Sequence, residues 1–171
     1  MARVVRRGFY RRDLPHLQHD FKPHFVTFCT LKRSILPPLA RKIVLDCCIH
    51  DHDKKYSLYV TVVMPDQVHL ILTPLVNHEA REIWSLASIM DAIKGASAHQ
   101  INRALNRKGR VWQTESFDHV LRSSESRDAK VAYILNNPVR HGLVDLLGEY
   151  PWVWRRPEQK HSSLQGSFDD L

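Results

Sequence analysis

Two short stretches carry the residues with a capacity for chemistry. In "VVMPDQVHLILTP" (residues 62–74) two polar side chains, Gln67 and His69, interrupt an otherwise apolar run. In "AYILNNP" (residues 132–138) Tyr133 stands four residues before Asn137. Strand alternation puts Gln67, His69 and Ile71 on one face and Val68, Leu70 and Leu72 on the other. With the second set turned toward covering helices, Gln67 and His69 share the open face about 7 Å apart, a spacing from which two side chains converge on one ion. The plainer alternative is a strand that starts at a polar hairpin, its first polar residues half exposed. Residues at i and i+4 share a helix face, so an amide oxygen at Asn137 can ligate a divalent ion beside the Tyr133 phenol. A phenol, with an ordinary pKa of about 10, is a poor nucleophile unless it is activated or aimed at a polarised phosphorus. Asn137 precedes a proline, which pulls it from helical geometry. The plainer reading of this pair is a core tyrosine followed by an Asn C-cap.

The elements that position these residues are legible from composition and punctuation. An irregular basic arm reaches to about Lys22, and "HFVTFCTL" (24–31) is a β-branched, aromatic strand. Pro37-Pro38 stops it, and Pro38 opens a helix through "LARKIVLDCCIHDHDKK" (39–55). "YSLYVTVVM" (56–64) and "QVHLILTPL" (67–75) are strands separated only by Pro65 and Asp66, hence a hairpin. A long helical segment is predicted over 79–105 with a bend at Gly95, then a turn at "NRKGR" and a strand over 111–121. The last helix starts at a Ser123 or Ser124 cap and ends at Pro138. This order gives an α+β, ferredoxin-like split βαβ fold, a four-stranded antiparallel sheet with helices on one face plus a C-terminal tyrosine-bearing helix. The organisation predicted is an arm over 1–22, one domain over 23–145 and a tail over 146–171.

Composition bounds the class. A 171-residue chain with 43% hydrophobic and 25% charged residues has the make-up of a single soluble globular domain. No apolar run approaches the roughly 20 residues of a membrane span, and the N-terminus lacks the apolar core of a signal peptide, so a cytoplasmic protein is expected. Three cysteines, Cys29, Cys47 and Cys48, have neither disulfide nor zinc-knuckle spacing and read as buried, reduced thiols. The net charge of +7 favours a polyanionic partner. Arg6, Arg7, Arg11 and Arg12 lie in an opening segment without acids until Asp13, and Arg103, Arg107, Lys108 and Arg110 form a second basic run. Each cation taken singly is more often a solvated surface charge.

Taken together the motifs resemble a known family, the single-tyrosine HUH transposases (IS200-like), in the branch associated with repetitive extragenic palindromes (REP). "YRRDLPH" followed by "HFVTF" is similar to that branch's N-terminal signature, and "VVMPDQVHLIL" to its Met-Pro-Asn/Asp-His-Val-His-Leu motif. "IMDAIKGASAHQINRAL" with "GRVWQTESFDHVLR" resembles its long helix and Trp-Gln strand, "YILNNPVRHGLV" its tyrosine helix, and "YPWVW" the segment that follows. The resemblance implies cleavage and rejoining of single-stranded DNA beside a palindromic hairpin through a 5′-phosphotyrosine link. It implies Tyr133 as nucleophile and Gln67, His69 and Asn137 as ligands of one Mg²⁺ or Mn²⁺. Arg6, Arg7, Arg11 and Arg12 would grip the hairpin, with Arg103, Arg107, Lys108, Arg110, Arg122 and Arg140 along the phosphate track. Trp112, Phe117, Trp152 and Trp154 are candidates for stacking on unpaired bases, though the first two read more simply as core. Family members act as monomers or as homodimers that exchange the tyrosine helix. One residue departs from the pattern: Gln67 stands where the family has the first histidine of its pair. The site is thus either retained with a softened ligand or reduced to a DNA-hairpin binder.

Overall fold

Residues 21–157 are described by the computed structural model. The β-branched and aromatic run at its start forms β1 (His24–Thr30), and the proline pair opens α1 (Pro38–His50). β2 (Tyr56–Val63) and β3 (Gln67–Pro74) follow as the expected hairpin, with the Met64 N–H donating to the Gln67 carbonyl at 2.8 Å. A small ribbon of β4 (Val76–Asn77) and β5 (Glu82–Ile83) leads to α2 (Leu86–Ala104) and β6 (Trp112–Val120). α3 (Ser124–Leu135), the short α4 (Asn137–Arg140) and β7 (Val153–Arg155) complete the order. No helix among the described residues is long and apolar enough to cross a membrane.

The main sheet runs β6-β1-β3-β2-β7 with every neighbouring pair antiparallel. Its first four strands are the split βαβ plan, and a fifth is added at the β2 edge. Val26, Phe28, Val68, Leu70 and Leu72 face α1 and α2 and form the larger core with Val44, Ile89 and Ile93. Phe25, Val62 and Ile71 point the other way and pack with Ile134 of α3, Leu121 and Tyr150. A bulge between Leu58 and Val60 inserts Tyr59 and moves the rest of β2 across the sheet, which is why Leu58 joins the first core and Val60 the second.

Several expectations are revised by this arrangement. Helices cover both faces, because α3 docks opposite α1 and α2. The face that carries Gln67 and His69 is therefore not open. The helix predicted from 79 begins at Leu86: Asn77 Oδ1 accepts from the Glu79 and Ala80 N–H groups, and Ser85 caps α2 by accepting from the Ser88 N–H at 3.1 Å. Gly95 sits within α2 without ending it. Of the two candidate caps of α3, Ser123 does the work, accepting from the Ser126 N–H at 3.0 Å. Pro138 does not stop the chain's helical course; it sits in the first turn of α4, where its missing N–H is tolerated. Part of the 146–171 segment is integral to the sheet. Tyr150 is buried with its hydroxyl donating to the Val63 carbonyl at 2.8 Å, and β7 pairs with β2. All three cysteines are free thiols; Cys47 and Cys48 are buried, whereas Cys29, expected to be buried with them, is only partly so.

Candidate active site on the α3 face of the sheet

Register assembles the site in one row across five strands. Phe117 of β6 pairs with Thr27, Thr27 with His69, His69 with Val62, and Val62 with Val153. Cross-strand partners on one face lie about 5 Å apart, so Thr27 and His69 are forced into contact. Thr27 Oγ1 and His69 Nδ1 are 2.8 Å apart, and the Phe25 ring lies nearly parallel to the imidazole at 6.0 Å. His69 is only 8% exposed. Burial, with the positive charges of His141 and Arg33 adding to it, lowers its pKa from 6.5 to about 4. The imidazole is thus neutral at pH 7. In the tautomer that donates from Nδ1 to Thr27, Nε2 keeps a free lone pair.

Gln67 lies one pleat earlier, opposite Cys29. Its amide oxygen accepts from both terminal nitrogens of Arg33, each at 3.4 Å. The same guanidinium donates through Nε to Asp66 at 2.8 Å and from Nη1 to Cys29 Sγ at 2.7 Å. Arg33 reaches this position from the turn after β1, where Lys32 and Arg33 are both left-handed, with φ of 54° and 55°. Two non-glycine residues in that region cost about 1–2 kcal/mol each. The Asp66 carboxylate is thereby committed to Arg33.

Tyr133 faces outward on α3, 43% exposed, rather than sealing a core. Two cations flank its ring: Lys130 Nζ at 4.9 Å and Arg140 Cζ at 4.7 Å from the ring centre. Lys130 also lies 4.8 Å over Phe25, the ring stacked on His69, which ties the phenol to the imidazole. Asn137 is 3% exposed and starts α4, one residue beyond the Asn136 cap of α3. Its carbonyl accepts from the His141 N–H at 3.0 Å.

The remaining sequence candidates divide by place. Arg140 belongs to the site. Arg103 lies in the last turn of α2 and Arg107, Lys108 and Arg110 in the connection to β6, on the side of the helices that pack the opposite face. There Arg107 Nη2 donates to the Arg110 carbonyl, and Arg110 to Thr114 Oγ1. Arg122 is exposed just before α3. Arg6, Arg7, Arg11 and Arg12 lie outside the described residues. Trp112 is core, whereas Phe117, expected there too, is 62% exposed beside Phe25. Residues not singled out from the sequence also enter: Thr27, Arg33, Lys130 and His141. Lys130 stands one helical turn before Tyr133 and was findable by spacing. Arg33 and Thr27 meet Gln67 and His69 only through the fold. A separate cleft of about 990 Å³ between α3 and the C-terminal segment is lined by Tyr59, Arg127, Leu135 and Arg156; Tyr133, His69 and Gln67 do not line it.

Among the described residues no group of three or more His, Cys, Asp or Glu side chains is placed to hold a metal. An ion here would depend on His69 and the amide oxygens of Gln67 and Asn137. That donor set fits Mg²⁺ or Mn²⁺: the imidazole is uncharged, and Gln67 Oε1 already faces a positive group, the Arg33 guanidinium.

Comparison with known proteins agrees with the motifs. The family model for IS200-like transposases matches residues 17–137. A protein of Escherichia coli (strain K12), the REP-associated tyrosine transposase, is 28% identical over 101 residues, covering 58% of this chain and 54% of its own. A Haemophilus influenzae protein assigned to the same group is 27% identical over 94 residues, 53% of each chain. This chain therefore spans about half the length of the curated relatives it matches. A solved REP-associated tyrosine transposase bound to a REP hairpin has the same fold, with a TM-score of 0.62 at 24% identity over 78% of this chain and 76% of that one. By the match over residues 17–137, this chain belongs to the IS200-like transposase family.

Proposed function

We propose that this protein cleaves and rejoins single-stranded DNA beside a palindromic hairpin, with Tyr133 as the nucleophile. The observation that carries this reading is the exposed Tyr133 phenol, flanked by Lys130 and Arg140 on the face that holds His69. The Tyr133 oxygen attacks phosphorus in line. An oxygen–phosphorus bond to tyrosine forms as the bond to the 3′ oxygen breaks. The phenol proton leaves to solvent and the departing oxygen takes one up, giving a 5′-phosphotyrosine and a free 3′-hydroxyl. Because one phosphodiester is exchanged for another, the step reverses and strands join without ATP.

The chain's own groups do most of the positioning. Lys130 and Arg140 draw the phosphate to the phenol, and Thr27 fixes the imidazole ring. Phe117 offers a stacking surface at the sheet edge. Arg6, Arg7, Arg11 and Arg12 serve the hairpin, a partner supported by the relative solved with a REP hairpin. Arg122, exposed just before α3, extends the phosphate track. A Mg²⁺ or Mn²⁺ held by His69, Asn137 and Gln67 would polarise a non-bridging phosphate oxygen. The packing of α3 against its own sheet supports a monomer as the acting unit.

The engagement of Gln67 by Arg33 favours a second reading, a hairpin binder without catalysis. A denaturing gel separates the two. The protein incubated with a hairpin-flanked single strand and Mn²⁺ is expected to give a covalent protein–DNA adduct. Tyr133→Phe should lower adduct formation by roughly 1,000-fold or more while hairpin binding persists. Binding without adduct in the unmodified protein selects the second reading, and an adduct that survives Tyr133→Phe removes Tyr133 as nucleophile.

A further inference from the structure

We infer that Arg33 is the resident cation of this site and competes with a divalent ion for the Gln67 amide oxygen. The inference rests on the metal-binding reading above and adds to it the residue that controls access.

Three contacts define the position. Nε of Arg33 is anchored on Asp66 at 2.8 Å, Nη1 lies 2.7 Å from Cys29 Sγ, and both terminal nitrogens address Gln67 Oε1 at 3.4 Å. The planar fork of a guanidinium makes this triple engagement possible; an ammonium, a point charge, cannot hold Asp66 and Gln67 at once. The contacts to Gln67 are the longest of the set, so Gln67 is the partner released most readily.

The backbone is built to hold Arg33 there. Lys32 and Arg33 adopt left-handed conformations that neither side chain favours, immediately after β1. Backbone bonds lock this turn onto the hairpin: the Thr30 N–H donates to the Asp66 carbonyl at 3.0 Å and the Leu36 N–H to the Pro65 carbonyl at 2.7 Å. A divalent ion placed between Gln67 and His69 meets the repulsion of the Arg33 guanidinium held at Gln67 Oε1. Arg33 must swing out for the ion to enter, and its side chain, 48% exposed, has solvent to swing into. Its departure leaves the Asp66 carboxylate uncompensated beside the site, which favours the incoming ion again.

The test is Mn²⁺ binding to the full chain without DNA, followed by loss of the free-Mn²⁺ resonance signal. Arg33→Met is expected to tighten Mn²⁺ binding by about 10-fold or more. Arg33→Lys should give a smaller gain, because lysine loses the fork that holds Gln67 but keeps the charge that repels the ion. Arg33→Lys equal to the unmodified protein overturns competition for Gln67, and so does Arg33→Met without effect. If Arg33→Met melts early, Arg33→Lys decides alone. Gln67→His gauges the metal reading independently: a gain there with none in the Arg33 variants sinks the role of Arg33 and spares the metal. Absence of Mn²⁺ binding in every variant overturns both, and the Tyr133 adduct assay then reports whether cleavage proceeds nonetheless.

Discussion

The two faces of one sheet are built on different terms. Against α1 and α2 the strands present Val26, Phe28, Val68, Leu70 and Leu72, all almost fully buried, in the larger apolar core. Against α3 the same strands present Phe25, Thr27, Gln67 and His69, with cations from Arg33, Lys130 and Arg140 gathered above them. Ile134, Leu121, Tyr150 and Met64 pack around Val60, Val62 and Ile71, with partly buried Val131, Leu135, Val144 and Trp152 beside them. Alternation separates the duties by a single residue step. Leu70 packs into the core, and His69, its neighbour, faces the candidate site.

That contrast can be broken or sharpened by substitution. Leu70→Ala should be the most damaging, about 3–4 kcal/mol in urea unfolding, since it opens a void in a fully buried layer. Adduct yield per folded molecule should stay unchanged. A yield that falls with stability intact would mean the faces are coupled.

The polar face should declare itself in pH dependence. His69 titrates at about 4 in the folded state against 6.5 unfolded, so the unfolded chain binds the proton more readily between those values. The stability contributed by the neutral imidazole is complete above about pH 6.5 and is lost as pH falls toward 4, about 3 kcal/mol in all. His69→Gln should remove that part of the slope between pH 7 and 4. Identical slopes for the two proteins would place the charge sensitivity elsewhere. The smallest effect is expected at the rim. Phe117→Ala should weaken single-strand binding by about 1–2 kcal/mol in a fluorescence titration. With the side chain mostly exposed, unfolding should change by no more than about 0.5 kcal/mol. Equal losses in binding and stability would make Phe117 a packing residue instead.

Much of the scaffold was legible in the chain. The Pro65-Asp66 hairpin, the alternation that separates His69 from Leu70, and the Ser-capped α3 are local patterns, set within a few residues of one another. The misjudged parts share a cause. The ribbon before α2, the passage of the chain through Pro138 into α4, and the docking of Val153–Arg155 on β2 depend on partners distant in sequence or on a turn closed by a side chain. Phe117 was misjudged for a related reason: an edge strand leaves one flank without a neighbour, so an aromatic there need not be covered.

The sequence by itself determined the split βαβ order, the strand face shared by Gln67 and His69, and the spacing of Tyr133 and Asn137, because periodicity and proline placement act over one or two turns. Only the tertiary structure decided that α3 would cover that face and keep His69 neutral, that Lys130 and Arg140 would bracket the phenol, and that Arg33 would hold Gln67. Arg33 meets Gln67 across 34 positions of the chain, and no local pattern encodes which cation that amide will meet.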